Sequence, residues 1–416
     1  MKMRIAPLAI AIAAASTLTS TATLADGWTI NGYGLTNYRM VDDSSAKTTF
    51  GKTDYRTAGT SEFNTGQAEL TVKKSVQYDE STYADYVLRA EYGNQEENFG
   101  SAAGSGDSDA EGTLEVKEAY VLLGNLEFMP EGTQVWAGKR FLNRNIGILS
   151  GEYWKQSSGV GTGFEKATAN GGKWGLAIMS ADPIGGGSND QTNNTVTSKE
   201  LYVHGIKGLG GSFDFDAKLF NQADNEVDGT GFSITYNRDY YGMDGWSSTG
   251  VSYGDGIATQ YKGVNFGNWV AGGDTSKSLF ITSYGVANLT ENLQLGTEFV
   301  NWKLDNIWGQ DSVERTLLAV RPSYMVNNNL RIEATYAKAW ETLGTPSNWG
   351  RADKTVSFNT YEIAAALTAN SDYFGRPQIK PYITHYVADD GYGGEIGLAN
   401  GKNSDTIIGV QAEIWF

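Results

Sequence analysis

The last eleven residues of the chain read Thr406-Ile407-Ile408-Gly409-Val410-Gln411-Ala412-Glu413-Ile414-Trp415-Phe416. Successive side chains of a strand point to opposite faces, so every second residue here shares a face. Alternation over about ten residues is the length that a tilted strand needs to cross a membrane. The stretch therefore predicts a membrane-spanning strand with Trp415 on its inner face. Its lipid face would be Ile408, Val410, Ala412, Ile414 and Phe416.

The same two-residue period recurs along the chain. One face is apolar and the other mostly polar in three further segments, at 68–72, 213–219 and 330–336, and Tyr361, Ile363, Ala365 and Leu367 share one face of a fourth. Short polar connections alternate with long Gly- and Ser-rich ones, the short ones at 287–292 and 326–329 and the long ones at 100–112, 185–198 and 343–354. This asymmetry is typical of outer-membrane barrels. We expect an all-β protein, a single transmembrane antiparallel β-barrel whose length fits 18 strands or 16.

The first 25 residues have the features of a secretory signal peptide. Lys2 and Arg4 precede an apolar run at 5–15, which is too short to span a bilayer as a helix. Thr23-Leu24-Ala25 is a suitable cleavage site. We therefore expect residues 1–25 to be removed on export and residues 26–416 to form the barrel, in the outer membrane of a Gram-negative bacterium.

Composition excludes several functional classes. The chain has 32 Lys and Arg against 48 Asp and Glu, a formal net charge of −16, whereas a nucleic-acid-binding protein needs a basic surface. It has no cysteine and two histidines, His204 and His385, so few ligands exist for a transition metal. No nucleophile motif surrounds either histidine. We expect no enzyme activity, no metal or cofactor, and no nucleic-acid partner.

Aromatic residues on the inner face are informative, because a barrel of about 16 to 18 strands leaves an aqueous channel. Strand parity places Tyr33, Trp246 and Trp415 there, among polar neighbours. Aromatic rings pack on the apolar faces of sugars, while polar side chains bind the hydroxyls. A girdle position or loop packing would also account for any one of these rings. Together they favour a sugar channel, with a general diffusion porin as the alternative.

One block of the chain resembles maltoporins. It contains Trp136-Ala137-Gly138-Lys139-Arg140-Phe141, Arg144, Tyr153-Trp154 and Ser158-Gly159-Val160-Gly161-Thr162-Gly163-Phe164-Glu165. Three other stretches are similar to the family, namely Asn31-Gly32-Tyr33-Gly34, Gly375-Arg376-Pro377 and Ala412-Glu413-Ile414-Trp415-Phe416. The resemblance implies a homotrimer of 18-stranded barrels surrounded by outer-membrane lipid. It also implies a constriction loop, folded inward at about Asn145 to Ser158, and an aromatic path for oligosaccharides.

The resemblance also implies roles for single residues. The aromatic path corresponds to Tyr33, Trp246, Phe374 and Trp415, and the constriction tyrosine corresponds to Tyr153. The polar track corresponds to Glu69, Lys117 and Arg144. Further candidates are Phe99 for the aromatic path, Arg56 for the polar track, and Gln67 at the position of a missing aromatic rung. Five positions depart from the family, where an arginine, an aromatic residue, a histidine and two aspartates are replaced by Leu35, Gln67, Ile148, Gly151 and Gln156. These departures leave two alternatives for the expected sugar, a linear maltodextrin on one hand and another glycoside or a disaccharide on the other.

Overall fold

In a computed structural model of the chain, eighteen antiparallel strands close into one barrel. The structure describes residues 22–24, 27–41, 55–60, 66–95, 114–180, 196–222, 227–259, 265–266, 273–307, 309–345, 353–398 and 401–416. The barrel strands are β1 Trp28–Val41, β2 Gly66–Gln77, β3 Tyr83–Gln95, β4 Leu114–Gly124, β5 Thr133–Ile146, β6 Tyr153–Ala167, β7 Lys173–Ser180, β8 Val196–Gly208, β9 Gly211–Gln222, β10 Val227–Tyr240, β11 Met243–Gly256, β12 Lys277–Asn288, β13 Leu293–Ile307, β14 Gln310–Asn327, β15 Leu330–Leu343, β16 Thr355–Thr368, β17 Gln378–Ala388 and β18 Ser404–Trp415.

Three short elements complete the described part of the chain. Ala22–Leu24 pairs with the start of β1, and Asn265–Phe266 pairs in parallel with β6. Gly393–Ile396 is a 3₁₀ helix. None of the described segments forms a helix long and apolar enough to span a bilayer. The predicted loop at 185–198 is too long by three residues, because β8 already begins at Val196.

The barrel closes where β1 pairs with β18. Tyr33 lies opposite Trp415 in this antiparallel pair. The Gly32 N–H donates to the Phe416 carbonyl at 2.9 Å, and the Phe416 N–H donates to the Gly32 carbonyl at 3.0 Å. A Cβ on Gly32 would lie 2.1 Å from the Phe416 ring, so glycine lets the terminal ring cover the seam. Closure leaves no unpaired strand edge, as a structure surrounded by lipid requires.

The outer face of the last strand is the one that the sequence predicts. Ile408, Val410 and Ile414 are 46%, 41% and 41% exposed, whereas Gln411 between them is buried. β15 follows the same rule, since it exposes Ile332 and Tyr336 and buries Arg331 and Glu333. Alternation therefore gives the barrel an apolar outer surface and a polar inner one.

The hairpin of β5 and β6 bends into the barrel. Asn143 has a φ of +52°, and the pairing of the two strands shifts register between Leu142 and Asn145. Such an irregularity in a hairpin bends the strands locally. The turn proper is only 147–152, because β5 continues to Ile146 and β6 starts at Tyr153. Most of the predicted loop from Asn145 to Ser158 is therefore strand, although it does fold inward.

The tip of the hairpin is fixed to the opposite wall by Glu298 on β13. The N–H groups of Leu149 and Ser150 donate to Glu298 Oε2 at 2.7 and 3.1 Å, and the Ser150 hydroxyl donates to Oε1 at 2.5 Å. Trp154 packs beside this contact, with its ring 5.8 Å from that of Phe280 on β12. A hydrogen bond from a neutral N–H or O–H group to a carboxylate is stronger than one between two neutral groups. The hairpin is thus held across the lumen.

A second segment, residues 55–60 between β1 and β2, also lies inside the barrel. The Thr60 N–H donates to Glu362 Oε2 on β16 at 2.8 Å. The Gly59 N–H donates to the Leu149 carbonyl at 3.2 Å, which joins this segment to the hairpin. Together the two segments bury the inward side chains of β12 to β17, which include Phe280, Val300, Leu317, Ala339 and Phe358. Inward side chains that stay partly exposed include Tyr33, Glu69, Arg144 and Trp415.

Replacing Val410 with Arg tests the outer face. A cationic side chain near the bilayer midplane costs about 2–4 kcal/mol in a transmembrane barrel. We expect the free energy of unfolding of Val410→Arg, measured by urea titration in lipid vesicles, to fall by that amount. Val410→Leu, which keeps the site apolar, should match the parent. Undiminished stability of Val410→Arg would place the strand one residue out of register.

Replacing Glu298 with Ala tests the anchoring of the hairpin. The change leaves three donors without an acceptor, and each buried unpaired donor costs about 1–3 kcal/mol. We expect the hairpin to detach transiently, so that the single-channel current in a planar bilayer fluctuates more. Glu314→Ala, which breaks an exposed pair with Lys303, is the matched control. A current as steady as the parent's would mean that other contacts hold the hairpin.

Candidate functional site

Tyr33 and Trp415 form an aromatic pair at the seam. They are neighbours across the β1–β18 pair, and both face the lumen. The Tyr33 hydroxyl donates to Glu413 Oε1 at 3.2 Å, and Arg376 Nε donates to Glu413 Oε2 at 2.6 Å. The Arg376 guanidinium lies 4.6 Å from the centre of the Trp415 ring. Each ring is thus held beside a polar group that can bind a hydroxyl.

Trp246 and Phe374 form a second aromatic pair. Trp246 lies on β11, and Phe374 lies in the turn between β16 and β17. Their ring centres are 6.2 Å apart at a tilt of 39°. Both rings are partly buried, at the edge of the apolar cluster that fills the lumen beside β12 to β17. They are therefore close enough to act on one ligand.

The turn at 369–377 connects the two pairs. It carries Phe374 against Trp246 and, two residues later, Arg376 over Trp415. Gln294 on β13 holds the turn, since its amide donates to Asp372 Oδ1 at 2.9 Å and accepts the Tyr373 N–H at 2.8 Å. The four residues of the predicted aromatic path thus lie in two pairs linked by one turn.

Tyr153 lies at the base of the inward hairpin and is 36% exposed. Its ring centre is 4.3 Å from the Arg144 guanidinium, and the ring of Phe141 lies 4.4 Å from the same group. Both distances are within the range of a cation–π contact. Arg144 is therefore packed between two rings, one of which the sequence assigned to the constriction.

Glu69 belongs to a cluster that the sequence analysis did not foresee. Its carboxylate is paired with Arg89 on β3, and Gln67 Nε2 donates to Glu69 Oε1 at 2.5 Å. Arg89 Nη1 also lies 3.5 Å from Glu118 Oε2 on β4. Arg89 thus pairs with one glutamate on each of the two strands that flank β3. The two-residue period of β3 would have placed Arg89 inward, but it could not identify the partners.

Lys117 and Arg56 have different surroundings from Glu69. Lys117 is the extra residue of a bulge in β4, because Arg89 faces Glu118 and Ala90 faces Val116, and its amine pairs with Glu115. Arg56 is buried, and its Nε donates to Glu341 Oε2 at 3.2 Å. Arg56 therefore anchors segment 55–60 to β15, and Lys117 lies outside the alternation of its strand.

The residues that depart from the maltoporin pattern lie on the inner wall or in the inward hairpin. Leu35 is 2% exposed and faces inward, opposite Gln67 on β2 and Glu413 on β18. Ile148 packs into the apolar cluster, Gly151 has a φ of +68° in the turn, and the Gln156 carbonyl accepts a hydrogen bond from Lys218. Phe99 lies outside the described residues. Within the described residues, no group of three or more His, Asp or Glu side chains is arranged to hold a metal ion.

Comparisons with known proteins agree with this architecture. The profile of the LamB porin family matches residues 31–416. The maltoporin of Vibrio cholerae serotype O1 is 23% identical over 407 residues, which cover 87% of this chain and 93% of the relative. The maltoporin of Photobacterium profundum is 25% identical over 294 residues, or 68% of this chain and 65% of the relative.

Among solved structures, the outer membrane channel DcaP of Acinetobacter baumannii matches with a TM-score of 0.50 and 12% identity, over 95% of this chain and 99% of that one. This likeness supports the barrel fold. The apolar outer surface, the closed barrel and the matching family are those of a channel in the outer membrane of a Gram-negative bacterium. Because the family profile covers the chain from residue 31 to its end, the protein belongs to the LamB porin family.

Proposed function

We propose that this porin mediates the facilitated diffusion of sugars or oligosaccharides along Trp246, Phe374, Trp415 and Tyr33. The observation that carries the proposal is the turn at 369–377, which places one aromatic ring against Trp246 and one arginine over Trp415. A sugar offers apolar C–H faces to the rings and hydroxyls to the neighbouring charges. Several weak contacts let a sugar enter and leave, whereas one tight site would hold it.

The polar partners of the path lie within reach of the rings. Glu413 is shared between Tyr33 and Arg376, so both a carboxylate and a guanidinium are available beside Trp415. Glu69 is the register partner of Tyr33 on the other side of β1. This arrangement supports binding of sugar hydroxyls next to stacked rings. Maltodextrins and other glycosides both have the required faces and hydroxyls.

A general diffusion porin for small hydrophilic solutes and ions is the second candidate. It is favoured by Leu35, a buried apolar residue at a position where the family has a charged one. It is also favoured by the pairing of Glu69 with Arg89, which engages that carboxylate without any ligand. Under this alternative the four aromatic rings stabilise the wall and the turn, and no saccharide would block the current.

A separate inference concerns the mature form of the protein. We infer that residues 1–25 are removed on export, that residues 26–416 form the barrel, and that three copies associate in the outer-membrane lipid. The signal-like N-terminus and the family resemblance support these inferences. A mature N-terminus at Asp26 and a trimer in mild detergent are the corresponding measurements.

Removing a ring of the path tests the sugar proposal. A stacked aromatic contact contributes on the order of 0.5–1.5 kcal/mol, or about two- to tenfold in affinity. We expect Trp415→Ala and Trp246→Ala each to weaken the block of ion current by a saccharide by that factor. Ion conductance should stay close to the parent's, because small ions do not use the rings.

Trp28→Ala is the matched control for both variants. Trp28 is 41% exposed on the outer face of β1, the position of a girdle residue, so its loss should leave saccharide block unchanged. The measurement is a titration of single-channel current across a panel of neutral saccharides. If neither Trp415→Ala nor Trp246→Ala changes the block by any saccharide that blocks the parent, the general-porin alternative is the better description.

Replacing Tyr153 with Ala tests the constriction. Its half-exposed ring lies where the hairpin enters the lumen, so its removal should widen the narrowest part and raise the ion conductance. Tyr324→Ala, on the exposed outer face of β14, removes an equal ring outside the lumen and should have no effect. An unchanged or lower conductance of Tyr153→Ala would place the narrowest part elsewhere.

A further inference from the structure

Arg144 differs from the other arginines that line the lumen. Arg89 is paired with Glu69 and Glu118. Arg376 is paired with Glu413, at 2.6 Å. In the part of the chain that the structure describes, no carboxylate oxygen lies within 4.0 Å of the Arg144 guanidinium. Among those residues, its charge has no ion-pair partner.

The two rings beside Arg144 hold it without using its hydrogen-bond donors. Phe141 and Tyr153 lie 4.4 and 4.3 Å from the guanidinium carbon, and Nε is buried with no hydrogen-bond partner. Ring contacts involve the π-faces, whereas the five N–H donors of a guanidinium point outward in its plane. Packing thus restricts the side chain, and the donors that face a ligand are those of the two terminal Nη groups, since Nε is buried. An arginine held in this way loses little entropy when it binds a ligand.

The hairpin itself supplies little negative charge near Arg144. Ile148, Gly151 and Gln156 are uncharged, and Glu152 is the acidic residue of the turn. The pair of Lys117 with Glu115 and the pair of Arg376 with Glu413 cancel locally. Arg144 thus brings a positive charge to the inward hairpin of a chain that carries −16 overall.

We propose that Arg144 binds the carboxylate of an acidic saccharide, such as a uronic acid residue, as it passes the constriction. This inference rests on the proposed sugar channel and specifies its substrate class. A guanidinium binds the two oxygens of a carboxylate with two parallel N–H···O bonds, which a neutral sugar cannot accept in the same way. The ring of Tyr153 offers a surface for the sugar to which the carboxylate is attached.

The experiment compares block of single-channel current by digalacturonate and by its dimethyl ester, which has the same rings without the charge. The parent channel should bind the acid about fivefold more tightly than the ester, as for an ion pair in contact with water. Arg144→Met should lose this preference and still be blocked by the ester. Arg144→Lys, which keeps the charge but not the planar donors, should retain only part of it.

Arg238→Met is the matched control, because Arg238 lies at the end of β10 with Asp239 as its partner and should keep the full preference. The ion conductance of each variant shows that it forms a channel, and Arg144→Lys carries the test if Arg144→Met forms none. Equal block by acid and ester in the parent overturns this inference alone. If Arg144→Met still binds the acid more tightly than the ester, this inference is also wrong. Absence of block by either compound also overturns this inference, while the titration across neutral saccharides decides separately on the sugar channel.

Discussion

The pairing of β1 with β18 is the contact on which the rest of the structure depends. An unpaired backbone N–H or carbonyl costs several kcal/mol in hydrocarbon, so a sheet can cross a membrane only if its last strand bonds to its first. The seam meets this requirement as far as the terminal residue, through the reciprocal bonds of Gly32 and Phe416. A closed sheet has one face toward lipid and one toward the lumen, which forces the two-residue period on every strand.

That period is why so much of the fold could be predicted from sequence. The outward face of β18, the inward position of Trp415 and the long and short connections all follow from alternation and turn composition. Strand ends were less predictable, because a strand continues wherever its partner does, also in a hairpin that bends into the lumen. For this reason β6 begins at Tyr153, inside the expected loop.

The interior was only partly predictable. Parity identified three inward aromatic residues, and the family resemblance added Phe374. Parity gives no information on which side chains meet across the lumen, since that depends on register and on segments that fold inward. The pairing of Arg89 with Glu69 depends on the register of β2 and β3. The bulge at Lys117 shifts the register of β3 and β4. Segment 55–60 has no periodic pattern, so nothing in its sequence indicated that it enters the barrel.

The bond between Leu149 and Glu298 joins residues 149 positions apart in the chain. Closing so long a loop has a large entropic cost, and contacts of this kind slow folding. The hairpin tip can be held in this way only where β13 stands in the wall, so the narrowing of the lumen depends on a strand far along the chain from the hairpin. The width of the pore is thus set in part by a strand with which the hairpin forms no ladder. A closed barrel whose hairpin is not docked on Glu298 would be wider, and it would discriminate less among solutes.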